Sequence, residues 1–127
     1  LLVRWPTVIP ANSVNDALVS NVDFAETFLD VAGESIPADM QGRSLTPILQ
    51  GKTPADWRKT HYYHYYEAGG HGVPIHYGVT DGQYKLIRFP DEDLDTWEFF
   101  DLTNDPMEMT SRYNDPEYAE AVSSLKS

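Results

Sequence analysis

At 127 residues, 41% of them apolar and 13% aromatic, the chain has the size and apolar content of one ordinary packed domain. It contains no cysteine, which excludes a disulfide framework, a thiolate nucleophile and a cysteine-based zinc site. Twenty acidic residues against nine basic ones leave a formal charge of -11, which argues against nucleic acid and anionic membranes as partners, and no run of about 18 apolar residues is present to span a bilayer.

In chain order, Leu1-Leu2-Val3-Arg4-Trp5-Pro6 reads as a buried strand already under way, as an excised piece of a longer chain would begin; it carries no signal-peptide pattern. Pro6, Pro10, Asn12, Ser13, Asn15 and Asp16 then make a loop of turn formers. Asp23 with Glu26 three residues on resembles a capping box, and Phe24, Phe28, Leu29 and Val31-Ala32 form an apolar stripe ending at Gly33, which predicts a helix from about Asp23 to Ala32. Ser44 is placed to cap a short helical turn through Leu45, Ile48 and Leu49, with Pro47 in its first turn and Gly51 closing it. Thr53 to Lys59 is a polar connector anchored by Trp57.

From Thr60 the pattern turns to β. Runs of aromatic and β-branched residues fall at Tyr62–Tyr66, Tyr77–Val79, Tyr84–Phe89 and Trp97–Phe100, with Asp81-Gly82 as a hairpin signal. A helix from about Asp115 to Leu125, capped by Asp115 with Pro116 at its first position, completes an α+β fold: a four-stranded antiparallel sheet packed by a C-terminal helix.

Four local patterns stand in order: Leu2-Val3-Arg4-Trp5-Pro6 with the loop to Val14, Asp23 to Gly33, Gly42 to Gly51, and Tyr84-Lys85-Leu86-Ile87 followed by Phe99 to Glu108. Together they resemble type I, formylglycine-dependent sulfatases, most closely the glycan-acting kind similar to N-acetylglucosamine-6-sulfatase. The resemblance implies that residues 1–58 are the C-terminal end of the sulfatase α/β core, carrying the short strand and the helices. Residues 59–127 are then the C-terminal subdomain, which in that family leans over the active-site mouth and helps to recognise the sugar. The family's nucleophile arises from a Cys/Ser-x-Pro-x-Arg motif and works beside a calcium ion, and this chain holds no such motif. Formylglycine and calcium are thus expected in the parent enzyme and no metal site here, so the isolated chain is expected to be inactive. A sulfated carbohydrate is the implied partner, and a periplasmic or secreted location the implied compartment. Two departures are local: the family often has glycine where Thr7 stands and proline where Glu26 stands.

All four histidines lie between His61 and His76. Strand alternation puts Tyr63 and Tyr65 on one face and Tyr62, His64 and Tyr66 on the other, and a glycine-bearing loop follows with His71. Flat rings with a few aimed polar groups suit a sugar. By the resemblance, Glu67, His71 and Val73 match the Glu-x-x-x-His-x-Val segment of glucosamine-type sulfatases, with His71 bonding a sugar hydroxyl and Glu67 steadying it; His76, outside that segment, is a third candidate substrate-binding residue from the histidine cluster.

Blander readings stand beside these. A histidine in a glycine-rich loop is often merely solvated, His76 falls in a strand, and tyrosines in a small sheet commonly form cross-strand pairs. His61 and His64, three apart in a strand, point to opposite faces and do not converge on an ion. Asp91, Asp93 and Asp95 mimic a calcium loop, but Thr96 and Leu102 stand where such a loop needs glycine and glutamate, so a solvated acidic turn is the reading. Thr60 to Phe89 carries Glu67 and Asp81 against Lys85 and Arg88, locally near neutral. Two alternatives of other classes remain, a non-catalytic carbohydrate-binding module marked by an exposed coplanar tyrosine pair, and a purely structural accessory domain. Self-association by edge pairing of the N-terminal strand is a further expectation.

Overall fold

The computed structural model describes residues 1–67, 72–90 and 95–127. The elements run α1 (Asp23–Ala32), α2 (Thr46–Leu49), β1 (His61–Tyr65), β2 (His76–Thr80), β3 (Tyr84–Phe89), β4 (Thr96–Asp101), a 3-10 turn (Pro116–Tyr118) and α3 (Ala119–Lys126). They divide between two units, Leu1–Arg58 and Lys59–Ser127. The α+β fold is the one the sequence predicts.

In the first unit α1 occupies the predicted span and closes at Gly33, whose φ of 75° lets its N–H reach the Asp30 carbonyl. The capping box does not form. Asp23 and Glu26 are 0% and 1% exposed, and their carboxylates serve a neighbouring segment instead. Asp23 accepts from the Arg43 N–H at 3.0 Å and the Ser20 N–H at 2.8 Å, and Glu26 Oε1 accepts from the Gly42 N–H at 2.6 Å. Buried backbone donors must find acceptors, and those of residues 42–43 outcompete the helix's own N-terminus for these two. Gly42 is obligatory in this approach, since a Cβ there would lie 2.1 Å from the Val22 carbonyl oxygen.

Arg58 grips Asp23 with both guanidinium nitrogens, at 2.6 and 2.5 Å. Burial alone would raise the Asp23 pKa; Arg58 and the two N–H donors together outweigh it and hold the carboxyl below its usual range. Arg58 and Arg43 also lie over the Trp57 ring, 5.0 and 4.7 Å from its centroid. Trp57 donates its indole N–H to the Leu18 carbonyl at 2.9 Å and packs with Leu45 and Ile48 as the core of this unit.

With its acidic side turned inward, α1 leaves its apolar stripe outside: Phe28 is 72% and Val31 50% exposed, where the periodicity predicted a core-facing row. The expected strand over Leu1–Trp5 is likewise absent. The segment has no ladder partner and Leu2 is wholly exposed, so edge pairing through it has no ladder to extend. Thr7 stands at φ 70°, a left-handed conformation that glycine adopts freely and a β-branched residue does not. The α2 turn forms where predicted and Gly51 follows it at φ 75°, but Leu45 and not Ser44 takes the N-cap position; Ser44, one residue earlier, accepts from the Thr46 N–H at 3.1 Å through its Oγ.

In the second unit the sheet order is β1-β2-β3-β4, all antiparallel. The β2–β3 hairpin turns at Asp81-Gly82 as predicted, with Gly82 at φ 92° and Asp81 Oδ1 accepting from the Gln83 and Tyr84 N–H groups at 2.9 and 2.7 Å. Val79, Leu86 and Phe99 are cross-strand neighbours on one face, and Val122 of α3 packs onto that row. The terminal helix begins as the 3-10 turn, with Asp115 accepting from the Glu117 N–H at 3.1 Å. Lys126 fastens its other end, 4.3 Å over the Trp97 ring and 2.7 Å from the Tyr113 hydroxyl. Buried Asp101 ties the loop after β4 to the helix, accepting from the Thr103 and Asn104 N–H groups, the Asn104 amide and the Tyr118 hydroxyl. Of the predicted acidic turn, residues 91–94 lie outside the described residues, and Asp95 pairs with Arg88.

Candidate functional site

The alternation of β1 divides its rings as the sequence predicts. The register pairs Tyr63 with Gly78, His64 with Tyr77 and Tyr65 with His76, so each pair shares a face. On one face the Tyr66 ring stacks on His64, centroids 3.8 Å apart at 22°, while Tyr62 stands at 87° to the same imidazole. Tyr62 and Tyr66 therefore present no flat pair, the feature expected of a sugar-binding module.

The opposite face collects the candidate residues. His76 lies among three rings: Tyr65 stacked at 5.4 Å and 23°, Tyr63 edge-on at 5.6 Å, and Phe89 at 5.4 Å. Its Nδ1 is 2.9 Å from the Pro74 carbonyl oxygen. A carbonyl only accepts, so Nδ1 is the donor in this contact. Tyr65 donates its hydroxyl to Glu67 Oε2 at 3.2 Å. One side chain thus joins Glu67 to His76, by a hydrogen bond at one end and ring stacking at the other. His71, the third sequence candidate, lies outside the described residues.

Gly78 is what lets Tyr63 reach this position. A Cβ on Gly78 would stand 2.8 Å from the Tyr63 ring and 2.8 Å from the Leu86 carbonyl oxygen, so only glycine fits beneath the ring. Burial, reinforced by the charges of Glu108 and Glu98, pushes the Tyr63 hydroxyl above its ordinary pKa and keeps it a neutral phenol.

Sequence reasoning named Glu67 and His76 but missed Tyr65 as their connection and Gly78 as the floor under Tyr63. The i, i+2 spacing of Tyr65 and Glu67 was the available signal for the first, since an extended run carried on to Glu67 would set both on one face; β1 itself ends at Tyr65. Gly78 carried no such signal, because its partner was set by strand register.

His61 and His64 pair with Thr80 and Tyr77 and do not converge. Among the described residues no group of three or more His, Cys, Asp or Glu side chains is placed to hold a metal. With the formylglycine motif also absent, these residues do not fit the family's calcium or its modified nucleophile. A groove of about 400 Å³ in the first unit is lined by Val3, Ile9, Val14, Leu45 and Ile48, and its polar Asn15 is already bonded to Thr53 and the Ala17 N–H. No helix among the described residues is long and apolar enough to cross a membrane.

A four-stranded antiparallel sheet closed by a terminal helix, joined to a short helical unit, is the architecture of a sulfatase C-terminal region. The chain belongs to the N-sulphoglucosamine sulphohydrolase C-terminal family, whose model matches residues 1–127. It is 49% identical to the N-acetylglucosamine-6-O-sulfatase of Bacteroides thetaiotaomicron over 98% of this chain and 23% of that protein. Arylsulfatase K of Rattus norvegicus is 34% identical over 81% of this chain and 19% of its own length. Among solved structures, a protein in complex with its substrate D-glucosamine-2-N,6-O-disulfate superposes with a TM-score of 0.90 at 48% identity, over 97% of this chain and 25% of that one. The chain therefore spans about a fifth to a quarter of the length of these relatives.

Proposed function

We propose that the chain is the C-terminal portion of a sulfuric ester hydrolase acting on sulfated glycans, and that it contributes substrate recognition while the nucleophile and metal lie elsewhere in the polypeptide. The observation that carries this reading is the 49% identity to a glucosamine-type sulfatase across 98% of the chain. In this reading residues 1–58 end the α/β core and residues 59–127 form the subdomain that borders the substrate. Glu67 and His76, joined through Tyr65, face the sugar together with His71. Formylglycine and calcium belong to the remainder of the enzyme, and the periplasm or the cell exterior is its compartment. The connected Glu67–Tyr65–His76 geometry supports a sugar-facing role over a purely structural one, since it links an exposed carboxylate, able to accept from a sugar hydroxyl, to an imidazole held by the Pro74 carbonyl.

The test is to sequence the coding DNA upstream of the Leu1 codon for an in-frame Cys/Ser-x-Pro-x-Arg motif, and then to assay the complete, formylglycine-bearing polypeptide for sulfate release from glucosamine 6-O-sulfate. The reading expects both the motif and turnover, with His71→Ala lowering kcat/KM. An unrelated domain upstream, or turnover indifferent to Glu67, His71 and His76 together, overturns it.

A further inference from the structure

Helix α1 is amphipathic with its polar side inward. Asp23, Glu26, Thr27 and Asp30, at helical spacing, face the segment that follows the helix. The Arg43 N–H reaches Asp23, the Gly42 N–H reaches Glu26, the Leu45 N–H reaches the Thr27 hydroxyl, and the Ser44 hydroxyl reaches Asp30. With Arg58 on Asp23, these contacts fix the rotation of the helix about its own axis. The opposite side carries Phe24, Phe28 and Val31, spaced i, i+4 and i+7, all three exposed, with Val22 and Ile36 exposed beyond its two ends. The ordinary outcome is seen in α3 of the same chain, which lays Val122 and Leu125 onto the sheet. A contiguous apolar row, held outward by a bonded polar face, marks a surface that another body covers.

We infer that the Phe24–Phe28–Val31 row of α1 is an internal interface, covered by the portion of the same polypeptide that corresponds to the other three quarters of its relatives. The chain accounts for 23% of the N-acetylglucosamine-6-O-sulfatase that it matches, and the rest of such a polypeptide is tethered to the row and needs no separate encounter to reach it. Charge opposes a second copy as the cover, since each copy brings a formal -11 and three apolar side chains would have to hold the pair against that repulsion. The core that the helical periodicity predicts for this row then lies in the remainder of the enzyme. α1 becomes a two-sided wedge, with residues 42–45 and Arg58 bonded on its polar side and the remainder packed on its apolar side. The inference rests on the reading of this chain as one portion of a longer enzyme, and adds to it which surface meets the remainder.

The 127 residues hold no cysteine, so a thiol introduced among them reports one position. Phe28→Cys and Val31→Cys are each compared with Ser123→Cys, exposed on α3, by timing maleimide labelling of the peptide that bears the thiol. In the complete polypeptide both α1 thiols are expected to label about a hundredfold or more slowly than the one at position 123, because a buried thiol reacts only when the structure opens. In the dilute 127-residue chain all three should label within about tenfold of one another. Phe28→Asp supplies a second reading that does not depend on a small thiol preserving the contact. It should lower the thermal midpoint of the complete polypeptide by about 4 °C or more and that of the 127-residue chain by less than about 1 °C. Fast labelling at both α1 positions of the complete polypeptide, with a midpoint unmoved by Phe28→Asp, overturns the inference. Protection in the complete polypeptide that fades on dilution assigns the cover to a second copy and overturns it as well. Sulfate release by the unsubstituted polypeptide tests the sulfatase reading separately: protection without turnover removes that reading and keeps the interface.

Discussion

Replacing Arg58 by Met removes the guanidinium that faces Asp23 and leaves a wholly buried carboxylate with only two backbone N–H donors. The Asp23 side chain is 0% and that of Arg58 17% exposed, so the pair behaves as a buried one, and breaking such a pair from one side costs about 3–5 kcal/mol. Against a domain stability of about 5–15 kcal/mol, that is a large loss. Urea unfolding, with amide exchange at Arg43 as the local probe, measures it; the Arg43 N–H donates to Asp23 and should lose protection first. Replacing both partners, Asp23→Leu with Arg58→Met, should recover part of the loss, since no buried charge remains. The folded pKa of Asp23 is lowered, so in the wild type its contribution is present above the unfolded value of about 3.9 and is lost as pH falls through the folded value. In Arg58→Met burial is less opposed, protonation relieves it, and the gap between the two proteins should narrow on acidification. A cost below about 1 kcal/mol, the worth of an exposed pair, would refute the argument that burial sets the energy of this contact.

Other perturbations probe the second unit and the loop after Pro6. Gly78→Ala should cost about 1–3 kcal/mol in overpacking and displace the Tyr63 ring, seen as a loss of near-UV dichroism and a shift of the His76 ring resonances. Thr7→Gly should stabilise the first unit by about 1 kcal/mol, because it relieves a β-branched residue at φ 70°; thermal unfolding without a rise in midpoint would count against strain there. Asp101→Ala should speed amide exchange at Thr103 and Asn104 and bring the Tyr118 hydroxyl back toward its ordinary pKa, which burial and then Asp101 now raise. A spectrophotometric titration of Tyr118 unchanged by that substitution would argue against the contact.

Much of the fold was legible in the chain because the rules that set it act over a few residues. The span of α1 followed from its periodicity and the glycine after it, the β2–β3 turn from Asp81-Gly82, and the start of the last helix from Asp115-Pro116. Alternation along β1 separated its rings onto two faces.

Three features lay beyond such rules. The apolar stripe of α1 pointed to a core-facing row, yet Asp23 and Glu26 took the inner side, since their partners at residues 42, 43 and 58 are distant in sequence. Leu1–Trp5 had the composition of a strand and no partner strand to make it one. Tyr65 joins Glu67 to His76, and Gly78 admits Tyr63, only because the β1–β2 register sets Tyr65 opposite His76 and Tyr63 opposite Gly78. Dihedral preference, capping and side-chain period are properties of a local segment and are written in it, whereas which buried donor meets which acceptor, and which ring lies over which backbone, is decided when remote segments pack.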